Sequence, residues 1–293
     1  MVRQMHAYMV PTSHGAIAVS DSGTGAGSVL LIHGNSSSSA VFQHQIDSAA
    51  LAGHRLVAID LPGHGASADA THPARTYTRP GFAEALVEVI DHMGLADPVL
   101  LGWSLGGHIA LELAPRLSSV RGIMICGAPP VGTSMAEGFQ PGSAVRYGAR
   151  NELSAADLEA FGQVIFGATL DAPLRAAMAR ADGRARRILF EAARAGAGID
   201  QRRMVEHFRE PLAVVNGAGD AMINLDYIDR IAYANLWSGK CHRVPAAGHA
   251  PFRDNPAAFN ALLASFLADI EPSGQRDAAR RAGMHRENQA PDS

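Results

Sequence analysis

Ser104 lies in G-W-S-L-G, residues Gly102–Gly106, directly after the apolar run P-V-L-L-G and before the helix-spaced stretch Leu105–Leu117. A strand, a tight glycine-flanked turn and a helix together lift a serine hydroxyl clear of a sheet, where it can act as a nucleophile. A serine hydroxyl is weak at neutral pH and needs a general base held in place by a third group. An elbow of this kind predicts the chain order serine, acid, histidine, so the base must come late among the 13 histidines. His249 does, in A-A-G-H-A-P-F after the apolar run K-C-H-R-V-P, whereas His242 sits inside that run and His285 in a polar tail. The acid should follow the preceding strand, and Asp220 in N-G-A-G-D follows L-A-V-V-N; Asp226 and Asp229 fall in the next helical pattern. His108, one helical turn after Ser104, reads as a helix-face residue hydrogen-bonded nearby. His64, in D-L-P-G-H-G-A-S, reads as part of a turn.

Carbonyl chemistry at Ser104 also needs two backbone donors for the developing oxyanion. The amides of Leu105, next after the nucleophile, and of Asn35, in H-G-N-S-S-S-S after the third apolar run, are the candidates. Within that loop His33 and Gly34 shape the turn, and the serine run Ser36–Ser39 reads as capping and turn chemistry. Substrate contacts are expected from Gly34, Trp103 and Met222 beside these loops, and from Phe139, Phe161, Val164 and Phe166 as an apolar wall for an acyl chain. No metal-ligand spacing such as H-E-x-x-H or C-x-x-C occurs, and no G-x-G-x-x-G follows the first parallel strand, so neither a metal nor a cofactor is expected.

The elements that must hold these residues are legible as alternating short apolar runs and helix-spaced segments, the pattern of βαβ units around a mainly parallel sheet. Eight strand candidates occur, the first two flanking T-S-H-G as an antiparallel hairpin. Helices are expected over Pro80–Met93, with Phe82, Leu86, Val89 and Ile90 on one face, and over Ala257–Ile270. Between Gly127 and Pro211 only helical spacing appears. The expected organisation is a core over 1–127 and 211–270, a helical cap over 128–210 lying across the carboxyl ends of the strands, and a tail over 271–293 too polar to offset its ordering entropy.

With 293 residues, 47% of them apolar, the chain can bury one sizeable core, and a net charge of −3 leaves no basic footprint for nucleic acid. The start lacks a signal-peptide run and no stretch reaches the length of a membrane span, so a soluble cytoplasmic protein acting on a small molecule is expected. Its oligomeric state is open. Cys126 and Cys241 are expected as buried thiols.

H-G-N-S-S-S, D-L-P-G-H-G, G-W-S-L-G-G-H-I, D-G-R-A-R-R-I, A-V-V-N-G, N-L-W-S-G-K and A-G-H-A-P-F-R together resemble the α/β-hydrolase-fold N-acyl homoserine lactone lactonases, which degrade bacterial quorum signals. The resemblance runs from Ser13 to Leu267, and D-G-R-A-R-R-I and N-L-W-S-G-K carry its specificity, because a generic hydrolase does not demand them. It implies an α/β-hydrolase fold with a cap, Ser104 as nucleophile, His249 as base, Asp220 as acid, and the amides of Asn35 and Leu105 as oxyanion donors. Where the family's pattern can have glutamate as the acid and a tyrosine in the cap, this chain has Asp220 and Phe161. A carboxylesterase or thioesterase would use the same triad, and a signal-binding receptor could keep the fold. A dehalogenase or epoxide hydrolase would need aspartate where Ser104 stands.

Overall fold

The computed structural model describes residues 3–132, 134–142 and 145–271. Apart from Glu271, the tail expected over 271–293 therefore lies outside the described residues. The apolar runs form β1 His6–Val10, β2 Ile17–Asp21, β3 Ser28–Ile32, β4 Arg55–Ile59, β5 Val99–Trp103, β6 Gly122–Cys126, β7 Leu212–Gly217 and β8 His242–Val244. They assemble into an eight-stranded sheet in the order β1-β2-β4-β3-β5-β6-β7-β8. β1 and β2 pair antiparallel, as does β2 with β4, and every pair from β4 to β8 is parallel. Every residue of β5, β6 and β7 is buried, as the unbroken apolar runs of a sheet covered on both faces require.

Helix Arg79–His92 starts at Thr78, whose side chain accepts from the Gly81 amide, and it buries Phe82, Leu86, Val89 and Ile90. Helix Leu105–Leu113 is buried at every residue. It is shorter than the sequence pattern suggests, because a 3-10 turn over Ala114–Arg116 contains Pro115, which cannot donate to a continuing ladder. Helix Pro256–Ile270 packs Phe259, Leu263 and Phe266 into the core. Because β3 to β8 run parallel, the loops after β3, β5, β7 and β8 gather along one edge of the sheet, the place where open α/β sheets bind ligands.

Between β6 and β7 the chain forms helices Ala155–Phe166, Ala172–Arg180, Gly183–Arg194 and Gln201–His207, each opened by a side-chain cap from Ser154, Asp171, Asp182 or Asp200. The motif D-G-R-A-R-R-I anchors this segment to the core. Asp182 caps its helix and accepts from Tyr77 Oη at 2.7 Å, and a Cβ at Gly183 would overlap the Asn151 carbonyl. Arg186 is buried and donates to the carbonyls of Arg150 and Asn151 and, at 3.1 Å, to Ser36 Oγ. N-L-W-S-G-K makes the turn into β8, with Trp237 donating to Asp269 and stacked on His242.

Two histidines inside the fold are held neutral. His64 is fully buried with Nδ1 at 3.0 Å from the Pro62 carbonyl, and burial, then the charge of His33, pushes its pKa down to about 3. For His108, burial followed by the charge of Arg79 pushes the pKa down to about 4. Both values lie below that of an unfolded histidine, about 6.5. From about pH 6.5 down to about 4 the unfolded chain therefore binds protons that the folded chain refuses. Stability from this source is intact above about pH 6.5 and is expected to fall with acid by about 1.4 kcal/mol per pH unit for each ring. Urea unfolding at about pH 7.5, 6 and 5 measures the slope, and His108→Gln should make it shallower. A flat profile would mean that these rings are as easily protonated in the fold as out of it.

Candidate active site

Ser104 is the residue between β5 and helix Leu105–Leu113, with φ 52° and ψ −119°. That conformation is strained for a residue with a side chain and occurs where a tight turn over-determines it. The turn closes because Gly102 and Gly106 have no side chains: a Cβ on Gly106 would overlap the Ile32 carbonyl, and one on Gly102 the Gly106 carbonyl. The Ser104 amide donates to the Cys126 carbonyl at 2.7 Å, fixing the elbow to β6.

His249 arrives on the loop after β8, and Ser104 Oγ lies 3.1 Å from its Nε2. Its Nδ1 lies 2.9 Å from Oδ2 of Asp220, on the loop after β7. The second Asp220 oxygen accepts from the Met222 amide at 2.9 Å. Burial by itself would raise the Asp220 pKa, but the charge and hydrogen bond of His249 and the amides of Met222 and Ile223 outweigh it, so the carboxyl sits below its usual range. An ionised acceptor at Nδ1 fixes the tautomer that leaves the Nε2 lone pair facing Ser104. The His249 backbone is fixed as well, its carbonyl accepting from Trp103 Nε1 at 2.8 Å. Gly127, at φ +60°, lets the ring pack closely, since a Cβ there would stand 2.8 Å from Cε1. This relay can carry the Ser104 proton to His249 as Oγ attacks a carbonyl carbon.

The Leu105 amide opens a helix and so has no intrahelical acceptor. The Asn35 amide has no backbone acceptor among the described residues. The Asn35 loop is held from three directions: Asn35 Nδ2 donates to the Gly148 carbonyl at 3.1 Å, Ser36 Oγ bridges Asn35 Oδ1 and Arg186, and the Ser39 amide donates to Asp60. The serine run is thus turn and anchoring chemistry. Gly34 permits a close approach, because a Cβ would stand 2.9 Å from the Trp103 ring and 3.1 Å from Ser104 Cβ. His64 and His33 stay with the neighbouring turn, where His33 Nε2 accepts from the Leu61 amide.

A cavity runs over Ser104 and His249, lined by Asn35, Trp103, Leu105, Phe139, Phe161 and Met222 of the expected contacts. Gly34 is not on its wall. Val164 and Phe166 correct the sequence reading. On helix Ala155–Phe166 it is Phe161 and Ile165, four residues apart, that face the cavity. Val164 lies off that face and is 44% exposed. Phe166 is fully buried, its ring 5.5 Å from that of Trp103, and packs the helix against the elbow. Arg79, His108, Ile165, Leu189 and Phe190 line the cavity without having been singled out as contacts. Arg79 did carry a signal: a cation in the first turn of a helix opposes the helix dipole and asks for a local reason. Among the described residues no group of three or more His, Cys, Asp or Glu could hold a metal ion, and Cys126 and Cys241 are free thiols.

The model of the alpha/beta hydrolase family matches residues 29–262, most of the chain. The chain belongs to the alpha/beta hydrolase family. This alpha/beta hydrolase is 30% identical over 222 residues to 2-succinyl-6-hydroxy-2,4-cyclohexadiene-1-carboxylate synthase of Klebsiella pneumoniae (strain 342), covering 72% of this chain and 82% of that one. It is 29% identical over 264 residues to pimeloyl-(acyl-carrier protein) methyl ester esterase of Stenotrophomonas maltophilia (strain R551-3), covering 85% and 96%. Among solved structures it is similar to a mutant of the N-acyl homoserine lactonase AidH complexed with N-hexanoyl homoserine, with 42% identity, TM-score 0.89 and coverage of 91% and 98%. Another AidH mutant, complexed with N-hexanoyl homoserine lactone, matches with 42% identity and TM-score 0.87 over 91% and 98%. The chain is a serine hydrolase acting on ester or lactone bonds. No helix of the described residues is long and apolar enough to cross a membrane.

Proposed function

We propose that this enzyme opens the lactone ring of N-acyl homoserine lactones through an acyl-enzyme on Ser104. The observation that carries the reading is the likeness to AidH over nine-tenths of the chain, joined to an apolar cavity over the Ser104, His249 and Asp220 relay. Ser104 Oγ attacks the ring carbonyl as His249 takes its proton, and Asp220 stabilises the imidazolium. The amides of Leu105 and Asn35 receive the oxyanion. Collapse breaks the ring C–O bond, and His249 returns the proton to the ring oxygen, which becomes a hydroxyl still tethered to the acyl-enzyme. His249 then activates water, and the product is the open N-acyl homoserine, one water heavier with no fragment lost.

Mass spectrometry of products from N-acyl homoserine lactones and from simple esters of matched size tests the reading. Lactones should be turned over with kcat/KM at least about tenfold higher. A reversed preference would overturn the lactonase reading and favour an esterase acting on acyl esters, the activity that names the Stenotrophomonas relative.

Within the cavity Phe161 is 3% exposed, its ring 5.8 Å from that of Tyr147, and it closes one wall beside Ile165. Phe161→Ala is expected to raise kcat/KM for long acyl chains relative to short ones by about tenfold, the scale on which an apolar pocket discriminates by size. Turnover of a graded chain series checks it. A uniform fall across all chain lengths with a lowered melting temperature would assign Phe161 to packing instead.

A further inference from the structure

The wall of the cavity carries an arginine that the reaction does not use. Arg79, the first residue of helix Arg79–His92, is only 9% exposed and lines the cavity together with Ser104 and His108. Its Nη2 donates to the Ala197 carbonyl at 2.8 Å, while Nε and Nη1 are buried with no hydrogen-bond partner among the described residues. A guanidinium stays charged, and burying a cation with two nitrogens unpaired is costly unless something else bonds to it. Glu112 gives charge compensation without hydrogen-bonding to Arg79: its Oε2 accepts from the Ile199 amide at 3.0 Å, and its Oε1 forms an ion pair with Arg116 at 3.0 Å while having no hydrogen-bond partner among the described residues.

His108 completes the polar strip. Its Nδ1 hydrogen goes to Gln201 Oε1 at 2.7 Å, and Gln201 Nε2 donates to the His108 carbonyl at 2.9 Å, which fixes the amide's orientation. The neutral ring therefore presents Nε2 as an acceptor. Ser104, His108 and Glu112 recur every four residues along one buried helix, so His108 lies about 6 Å and Glu112 about 12 Å along the axis from the nucleophile. Arg79 packs beside this outer stretch: a Cβ on Gly198 would stand 3.0 Å from its Nη2 and 2.8 Å from Glu112 Oε2.

We propose that Arg79 is a specificity-determining residue that donates to an oxygen on the acyl chain, so that the enzyme selects keto- or hydroxyl-bearing acyl groups over plain hydrocarbon ones. The proposal rests on the acyl cavity of the lactonase reading and names the class of acyl group within it. The oxygen it reads lies several bonds from the carbonyl that Ser104 attacks. A keto oxygen accepts from Arg79, and a hydroxyl oxygen does so while leaving its own hydrogen for His108 Nε2.

The experiment compares kcat/KM for plain, 3-keto and 3-hydroxyl acyl chains of equal length, as N-acyl homoserine lactones and as methyl esters of the same N-acyl groups on glycine, which keep the spacing without a ring. Wild type should favour the oxygen-bearing chains by at least about tenfold, since a site built to hydrogen-bond a group rejects the analogue lacking it. Arg79→Met should bring that ratio to within about twofold of unity, and Arg79→Lys should retain part of it. Partial unfolding of a variant cancels in the ratio. A wild-type ratio near unity, or one unchanged in Arg79→Met, overturns the proposal. If the esters are cleaved and the lactones are not, the lactonase reading fails while the ester ratio still decides the role of Arg79.

Discussion

Replacing Ser104 by alanine is expected to lower kcat by about 10⁴-fold or more, the loss seen when a triad nucleophile is removed. The hydroxyl is partly exposed at the head of a turn, so its removal opens no core cavity. The elbow is held by backbone and glycine geometry, from the Ser104 amide bonded to Cys126 to the overlap that forbids a Cβ at Gly106. Alanine meets the same positive φ as serine, and the melting temperature should stay within a few degrees of wild type. Rapid quench of wild type with substrate should trap an adduct on Ser104 if deacylation is slow. Retention of more than about a tenth of wild-type kcat would remove Ser104 from the nucleophile's role.

Asp220→Asn should cost about 10³- to 10⁴-fold in kcat with little change in KM. The carboxylate has two duties: one oxygen holds Nδ1 of His249 and the other anchors the loop through the Met222 amide. An asparagine can keep the anchor with its oxygen only by turning its NH₂ toward His249. The ring must then present an acceptor at Nδ1, which puts the hydrogen on Nε2, the wrong side for accepting the Ser104 proton. Since Asp220 is held below the usual carboxylate range, wild-type activity should show no loss attributable to its protonation above about pH 4. Kinetics of both variants across pH give the test, and an Asp220→Asn enzyme within tenfold of wild type would place the acid elsewhere.

The sheet and the relay were legible because both are written locally. Each strand is a short apolar run, and Ser104, Asp220 and His249 follow three of those runs in the order that a serine elbow imposes. What escaped depends on contacts between distant segments. Val164 and Phe161 look alike in sequence, but which of them meets the cavity is set by how helix Ala155–Phe166 docks through Phe166 onto Trp103. Arg186 belongs to a motif whose resemblance was visible, yet its bond to Ser36, 150 residues earlier, is a property of the folded chain. The position of Arg79 at the start of a helix is visible in the sequence, but the desolvation that singles it out exists only once the segment around Ala197 has closed over it.

Trp103 is bonded to the His249 carbonyl, and its ring lies 5.8 Å from the imidazole. The chain has only two tryptophans, and the other, Trp237, stacks on His242 beside β8. A Trp237→Phe protein would therefore emit from a single indole beside the His249 ring. Protonated imidazole quenches indole emission by drawing its excited-state electron, so the fluorescence of such a protein would dim whenever His249 carries the proton taken from Ser104. Stopped-flow emission could then follow the proton's passage within a single turnover, with no dye and no reporter substrate.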